Sequence, residues 1–534
     1  MHRLLRARAP LTVALVLAGT AGSGRLASAQ VLPETGGGRD ITVRPALVPA
    51  APPPSTAPAY RTSASIAVDQ EWSSNAFPGG ATAQPSFITV VTPGLNISAD
   101  SARLTGSLNY APNIYLYESV KGQNYVGQNL TAYGHSTLVP DALFMDVRGF
   151  AAQQALNSGT GPTGTTSLNK QNQVQTYSFS VTPYATHRFG DIGTAQIGAA
   201  LSQTIQSTLT GQLPGLGSSN QNFGSVQETA SFTTGDAFGR TQHSVQLLAA
   251  QQNGNGPLAG SSRDTASYQF AYAFTHSIAA TASIGYENII YGGTSPLHIN
   301  DGTWSIGTRL TPTPESTITL QYGHQDGVTA AYLDASYAPT PRTRLYVRYS
   351  DGITTGLQQL QNSLASAVLD PMGNPVDATS GAPLQLTNNF FGTSTSVYQL
   401  RSASITFAWQ LPRDSFQATI NQQQQTPVGP QTVPTGTSTG TYGSLAWQHQ
   451  LSEALSSNVF VQYGVDGLGT GASAGAAQQN TRSAVFSAGL TYALSDSLTG
   501  TAQYSYTNNS YGLAQAGQPT QAVNLFLIGL QKSF

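Results

Sequence analysis

The sequence predicts an all-β protein: a large antiparallel, up-and-down transmembrane β-barrel. Three observations lead to this prediction: apolar and polar residues alternate along most of the chain, charged residues are scarce, and the last strand ends in phenylalanine. We expect about 22 strands, within roughly two either way, with short periplasmic turns and long extracellular loops. The barrel is expected to occupy residues 61–534.

Residue alternation is the primary signal, because successive side chains of a strand point to opposite faces. In the segment Ser402–Leu411, one parity is apolar or aromatic and the other consists of Ser, Thr, Ala and Gln. Along the chain, similar segments are joined alternately by a tight connection and by a longer polar one. A soluble β-sandwich or propeller also alternates, but it explains the other observations less well. The tight connections contain typical turn residues: Ala99-Asp100, Pro140-Asp141, Gly190-Asp191, Gly235-Asp236, Pro339-Thr340-Pro341 and Pro412-Arg413-Asp414.

Composition separates a membrane barrel from a soluble enzyme. Only 9% of the residues are charged, against roughly 25% in an average globular chain. A barrel needs an uncharged outer face for lipid and a polar lumen, and Ser, Thr, Gln, Asn and Gly provide the latter here. The formal net charge is −2, and such a balance argues against nucleic acid as a partner. The chain has no cysteine, so disulfides and thiolate metal sites are excluded.

The C-terminal strand is expected to carry an assembly signal. Phe526, Ile528, Leu530 and Phe534 share one parity and would form an apolar, outward-facing band. A closing strand of this kind is typical of bacterial outer-membrane barrels, where the β-barrel assembly machinery reads it. Taken alone, the same stretch is compatible with the last strand of a soluble β-sandwich.

The N-terminal region predicts export from the cytoplasm. Residues 1–29 combine an Arg-rich start, an apolar core over Leu11–Ala18 and an Ala27-Ser28-Ala29 cleavage motif, as in a secretory signal peptide. Residues 30–60 are rich in Pro and Gly and are interpreted as a disordered periplasmic leader. We therefore expect the protein in the outer membrane of a Gram-negative bacterium, in contact with lipid and lipopolysaccharide.

The longest connection, Gly352–Ser396, is the best functional lead within the barrel. Leu357, Leu360, Leu364 and Val368 follow helical spacing, so Leu357–Val368 is predicted to form a short amphipathic helix. A loop of this length is usually functional or disordered. Folded into the lumen it would narrow a pore; folded outward it would be a surface cap or an exposed variable loop.

Inward parity selects candidate pore-lining residues. Charged side chains in the lumen could favour anions or bind a polyanion, but luminal arginines also pair with carboxylates to stiffen the wall. Inward aromatic residues, among them Phe144, Tyr346 and Phe460, could line a path for sugars. The candidates for pore lining are Asp146, Arg148, Arg309, Arg348 and Tyr346.

Catalytic motifs are absent from the sequence. The histidines show neither HxxxH nor HExxH spacing, and there is no Gly-x-Ser-x-Gly elbow, phosphate loop or EF-hand loop. We therefore predict that the protein is not an enzyme and that it binds neither a cofactor nor a metal.

The opening strands resemble a known family. Ser65–Phe77 and Phe87–Tyr117 are similar to proteobacterial outer-membrane barrels described as PEP-CTERM-system-associated, which are often linked to exopolysaccharide loci. That family has a TDN-like turn after the first strand, a PG in the second and an ARL…YxP pattern in the third. Here Ser74-Asn75, Pro93-Gly94 and Ala102-Arg103-Leu104…Tyr110-Ala111-Pro112 stand at these points. The resemblance implies a barrel near envelope polysaccharide traffic and carries no known ligand residues.

Two classes of function remain open from the sequence. One is a porin-like channel for small solutes, or an accessory to exopolysaccharide passage. The other is a non-conducting structural or docking barrel. A barrel of this strand number is wide unless something fills it, and this favours the channel.

Overall fold

The computed structural model describes residues 59–76, 83–155, 173–208, 221–293, 296–369, 375–377, 396–428, 436–468, 479–510 and 521–534. The predicted signal peptide at 1–29 and nearly all of the predicted leader at 30–60 lie outside these ranges. Most of the second half of the 352–396 connection also lies outside them.

The described chain is built almost entirely of strands. Three short 3₁₀ turns and one α-helix, α1 (Gly356–Ser366), interrupt them. No helix among the described residues is long and apolar enough to cross a membrane. The strands of the first half are β1 Tyr60–Ser73, β2 Ser86–Asp100, β3 Leu104–Tyr110, β4 Asn113–Tyr117, β5 Tyr125–Gly127, β6 Leu130–Val139, β7 Leu143–Ala155, β8 Gln173–Arg188, β9 Gly193–Thr208, β10 Gln221–Thr234, β11 Thr241–Gly254, β12 Ser261–Ala273 and β13 Ile278–Tyr291.

The second half continues the same pattern. The strands are β14 Leu297–Leu310, β15 Thr317–Gln325, β16 Val328–Thr340, β17 Thr343–Thr354, β18 Ala367–Leu369, β19 Pro375–Asp377, β20 Tyr398–Gln410, β21 Asp414–Pro427, β22 Ser438–Gln450, β23 Leu455–Leu468, β24 Gln479–Ser495, β25 Leu498–Ser510 and β26 Gln521–Ser533.

These strands form one closed antiparallel barrel of 22 strands, as the sequence predicts. The third position in the barrel is shared by β3 and β4, and the fourth by β5 and β6; β18 and β19 form a separate two-stranded sheet. Closure occurs where β1 pairs with β26, with Trp72 opposite Phe526 and Val68 opposite Leu530. Closure leaves no sheet edge unpaired, which is the condition for a sheet to lie in lipid.

The barrel has a terminal end and a loop end. The terminal end carries the start of β1, the end of β26 and the short turns, including the predicted turns at Pro140-Asp141 and Gly190-Asp191. The connections at the loop end are mostly longer. An exception is the turn between β15 and β16, where Asp326 and Gly327 have positive φ values of 53° and 67°. An Asp-Gly pair of this conformation closes a two-residue hairpin.

The outer face of the barrel is apolar. On β8, Tyr177 and Phe179 are exposed, whereas the alternate residues Ser178 and Ser180 are buried toward the lumen. Ile284, Ile306, Ile420, Leu445 and Ile528 are exposed in the same way on other strands. So large an exposed apolar surface is a liability in water and a requirement in lipid.

A row of aromatic residues lies near the terminal end. Trp409, Phe416 and Trp447 lie on adjacent strands. The ring centroids of Trp409 and Phe416 are 5.6 Å apart, and those of Phe416 and Trp447 are 6.0 Å apart. Phe274 and Tyr492 are exposed at the same level. Such a girdle is typical of the interface between hydrocarbon and water. The barrel therefore has the exterior of an outer-membrane protein.

Candidate functional site: the lumen and its inner helix

Helix α1 lies inside the barrel. Thr355 caps its first turn: its hydroxyl accepts from the Gln358 backbone N–H, and the Gln358 side chain accepts from the Thr355 backbone N–H. This reciprocal capping box fixes the start of the helix at the end of β17. The predicted helix at 357–368 is therefore found at 356–366. Val368, expected in the helix, belongs instead to β18.

The first turn of α1 packs against the inner wall. Leu357 is buried in a cluster with Phe223 of β10, Ile289 of β13 and Ile299 of β14. One residue further along, the Gln358 side-chain amide donates to Gln252 Oε1 of β11 at 2.8 Å. The apolar face of an amphipathic helix is thus covered by inward residues of several strands. The 352–396 connection enters the lumen over this part of its length.

The end of α1 reaches β7. Leu360, Leu364 and Ala367 form a second buried cluster with Phe150. Arg148 Nε donates to the carbonyl oxygen of Ala367 at 3.1 Å. An orphan carbonyl at a helix C-terminus is well satisfied by a cationic donor. The helix is thereby held at both ends to the inner wall.

Asp146 and Arg148 form a buried ion-pair network beneath the helix. The side chain of Asp146 is 2% exposed, and its carboxylate lies 3.3 Å from Arg148 Nη2 and 2.7 Å from His135 Nδ1. Arg148 also lies over the Tyr133 ring at 5.5 Å. A buried carboxylate needs such partners, because an unpaired charge away from water is very costly. These two predicted pore-lining residues face the lumen, and they serve to anchor α1.

A second network ties the tip of the β15–β16 hairpin to the inner wall formed by the nearby strands β12 and β13. Asp326 pairs with Arg263 of β12, and the Gly327 backbone N–H donates to Glu287 Oε1 of β13 at 3.0 Å. A Cβ at Gly327 would lie 3.2 Å from Ile299. The tip of the hairpin therefore bends inward and supports the cluster on which α1 rests.

The network around the hairpin tip was not predicted from the sequence. The Asp-Gly turn itself is a recognisable hairpin signal. Its partners, however, are separated from it by 63 and 40 residues. Periodicity gives the face of each residue but not which distant strands converge.

Two further residues predicted to line the pore, Arg309 and Arg348, lie on one row that crosses four strands. Arg309, Thr319, Asp334 and Arg348 are successive partners in the register of β14, β15, β16 and β17. Arg348 pairs with Asp334, with Nη2–Oδ2 at 2.8 Å and Nε–Oδ2 at 2.9 Å. Arg309 makes no ion pair with any residue in the described ranges. Tyr346, two residues before Arg348, is opposite Ser336 and half-buried on the same inner face.

The inner wall of β6–β17, here called the helix half, differs from the inner wall of β20–β25, here called the amide half. Pairing and burial place at least nine acidic and basic residues on the inner face of the helix half. Among the described lumen-facing positions of the amide half, Asp466 alone carries a charge. The charged residues of the helix half include Asp146, Arg148, Arg263, Glu287, Asp301, Arg309, Asp334, Arg344 and Arg348.

No group of three or more His, Asp or Glu side chains within the described ranges is placed to hold a metal ion. The side chains that converge on the lumen instead hold α1 and the hairpin in place. Such an arrangement shapes a passage or closes it.

Comparisons with known proteins concern the fold. No protein-family model matches the chain, and no curated protein matches its sequence. The siderophore receptor PirA from Acinetobacter baumannii is similar with a TM-score of 0.48 and 9% identity, covering 89% of this chain and 80% of that chain. A mutant of the ferric enterobactin receptor PfeA from Pseudomonas aeruginosa gives 0.46 and 12%, with 89% and 80% covered. The ferric-catecholate import receptor Fiu from E. coli K12 gives 0.47 and 11%, with 88% and 82% covered. At 9 to 12% identity, this likeness concerns the barrel fold alone.

Proposed function

We propose that this outer-membrane barrel is a channel for small solutes whose lumen is constricted by α1. The observation that carries the proposal is the placement of α1 inside the barrel. Its apolar residues Leu357, Leu360 and Leu364 pack on the inner wall. Arg148 donates a hydrogen bond to Ala367, the residue that follows the helix.

The dimensions favour a narrowed passage over a closed one. Strands about 4.8 Å apart and tilted by about 40° place opposite backbones of a 22-strand barrel roughly 40 Å apart. An α-helix of 11 residues is about 16 Å long and about 10 Å across with its side chains. Of the described residues, α1 is the element that crosses the lumen, and a helix of that size fills only part of such a cross-section.

Conductance tests the proposal directly. The refolded chain from residue 30 onward, inserted in a planar bilayer, is expected to give stable current steps. Replacing residues 356–396 with a short Gly/Ser linker removes α1 but keeps β17 and β20 whole, and the steps should then grow. Shortening residues 511–520, another connection at the loop end, is the matched control and should leave the step size unchanged. Silence in all three proteins, with folding shown by heat-modifiable gel mobility, would contradict the channel and favour a docking barrel.

The position of α1 can be tested separately from conduction. The chain has no cysteine, so a Gln252→Cys/Gln358→Cys pair would be the only thiols present. These two side chains are hydrogen-bonded through their ends, so a short bis-maleimide reagent, which reaches farther than a disulfide, should join the two introduced thiols in most molecules and change their gel mobility. A Gln252→Cys/Gln410→Cys pair, with Gln410 at the terminal end of β20, should remain uncross-linked. Equal yields in the two pairs would show that α1 is not seated as described.

An accessory role in exopolysaccharide passage is a second proposal, supported by the resemblance of the opening strands to the exopolysaccharide-linked family. It is tested by polysaccharide export from a strain that lacks the protein. Loss of export that is restored by the wild-type chain would support this role, and unchanged export would remove it.

Recognition by the β-barrel assembly machinery is also proposed. Support comes from the outward display of Phe526, Ile528, Leu530 and Phe534, which are 51 to 75% exposed. Deleting Phe534 should lower the assembled fraction in cells without preventing refolding in detergent. Equal assembly of the two proteins would overturn the proposal.

A further inference from the structure

The amide half presents to the lumen a wall that is rich in hydrogen-bonding side chains and has one charged residue, Asp466, among its described positions. Its central row is set by strand register: Asn421 of β21 is opposite Tyr442 of β22, which is opposite Gly464 of β23. Gly464 is opposite Ser483 of β24, and Ser483 is opposite Asn509 of β25. Five neighbouring strands thus contribute adjacent positions to one continuous surface.

Several polar atoms on this surface are buried and have no hydrogen-bond partner among the residues that the structure describes. They are found on β21, β23, β24 and β25. Gln425 is 7% exposed, Gln462 3%, Ser483 8% and Asn509 7%. The unpartnered atoms are Asn421 Oδ1, Gln423 Oε1, Gln425 Nε2, Gln462 Oε1, Ser483 Oγ and Asn509 Oδ1. Buried polar groups in folded proteins are almost always satisfied, so these side chains hold hydrogen-bonding capacity that no described residue uses.

The chemistry of the wall defines the class of ligand that fits it. A side-chain amide offers both donors and acceptors, and a serine hydroxyl does the same. A ligand hydroxyl also donates and accepts, and it can therefore satisfy either kind of atom. With Asp466 as the single charged group on the described part of this wall, neither an anion nor a cation gains a strong electrostatic advantage.

We propose that the amide half is a binding surface for neutral polyhydroxylated solutes, that is, for uncharged oligosaccharides. This inference rests on the proposed channel for its biological use and names the substrate class of that channel. The surface includes Asn421, Gln423, Gln425, Gln462, Ser483 and Asn509. The ordered water of a hydrated wall is the competing occupant.

Equilibrium binding separates this inference from the channel itself. Maltohexaose is the probe, titrated calorimetrically into the refolded full-length barrel in detergent, which requires no conduction. We expect saturable binding of maltohexaose and much weaker binding of a hexagalacturonate of the same length. No saturable binding of maltohexaose would mean a hydrated wall only and would overturn the inference, whether or not the protein conducts.

Matched variants locate the surface. The Gln423→Leu/Gln425→Leu/Gln462→Leu variant retains side-chain bulk and removes three amides, and it should bind maltohexaose at least tenfold more weakly. Gln422→Leu is the control, because Gln422 is next to Gln423 on β21 but is exposed on the outer face. Should the triple variant fail the heat-modifiable mobility test, Ser483→Ala/Asn509→Ala probes the same surface with smaller changes. Equal binding by the control and a folded luminal variant would overturn the assignment.

Conductance supplies a second readout. Maltohexaose added to one side should interrupt the current of the wild-type channel reversibly, and the interruptions should be shorter in the luminal variants. Polyethylene glycol of similar size enters a pore but lacks the array of hydroxyl donors, so it should not produce long interruptions. Equal residence times for the two polymers would show that size alone causes the interruption and would contradict a recognition surface.

Discussion

The helix half and the amide half of the lumen are built from the same alternating strands, yet their inner faces are chemically opposite. The helix half carries paired charges such as Asp146–Arg148 and Asp334–Arg348, together with apolar clusters that receive α1. The amide half has one charged residue on its described inner face, Asp466, among uncharged polar side chains and a few apolar ones such as Val485. The difference indicates that a polar lumen can serve two purposes: to hold parts of the chain in place, or to offer hydrogen bonds to a ligand.

Paired charges in the helix half hold one part of the chain to another. A buried ion pair is worthwhile where it orients a neighbouring group, and here Arg148 is held by Asp146 while it donates to Ala367. A side-chain amide orients a neighbouring group less strictly than an ion pair does, because it can rotate to offer a donor or an acceptor. A wall of this kind suits ligands that come and go.

The largest effect is expected from breaking the Asp146 network. Asp146→Asn leaves the Arg148 charge without its buried counter-charge and should lower the free energy of unfolding by about 3 kcal/mol. Urea titration of the barrel in lipid vesicles measures the change. Asp264→Asn is the control, because Asp264 is exposed on β12, and it should change stability by less than about 0.5 kcal/mol. Similar losses in the two variants would remove the anchoring role assigned to Asp146.

A smaller and more local effect is expected from Leu364. It is 3% exposed between α1 and Phe150, so Leu364→Ala should weaken the docking of the helix by about 2 kcal/mol. That change shifts the ratio of docked to undocked helix by roughly thirtyfold. The expected result is frequent current steps of the size seen when residues 356–396 are replaced.

The matched control for Leu364 is its neighbour Ser363, which is only half-buried. Ser363→Ala should leave the current steps as in the wild type. If Leu364→Ala also behaves as the wild type, the position of α1 does not set the width of the passage.

The two halves were not equally accessible from the sequence. Strand parity assigned Asp146, Arg148, Arg309, Arg348 and Tyr346 to the inner face, and each lies there. The strand count and the inner and outer faces follow from local periodicity, which a single sequence contains.

The converging contacts of the lumen are not local. Helical spacing predicted α1 but left open whether it lay inside the barrel, on its surface or in an exposed loop. Its position depends on contacts such as Arg148 with Ala367, 219 residues apart. The amide wall likewise depends on register across five strands, which periodicity alone does not give.

The smallest effect sharpens the comparison within the helix half, between a paired and an unpaired arginine. Arg309 makes no ion pair within the described ranges, whereas Arg348 is balanced by Asp334. Arg309→Gln should therefore shift the selectivity of the channel toward cations by about twofold, a modest effect because salt screens a single charge within about 8 Å. The Arg348→Gln/Asp334→Asn double variant removes one charge of each sign, so its reversal potential in a salt gradient should match the wild type. A larger shift in the double variant than in Arg309→Gln would place the selectivity-setting charge at the ion pair and would reverse the roles assigned to the two arginines.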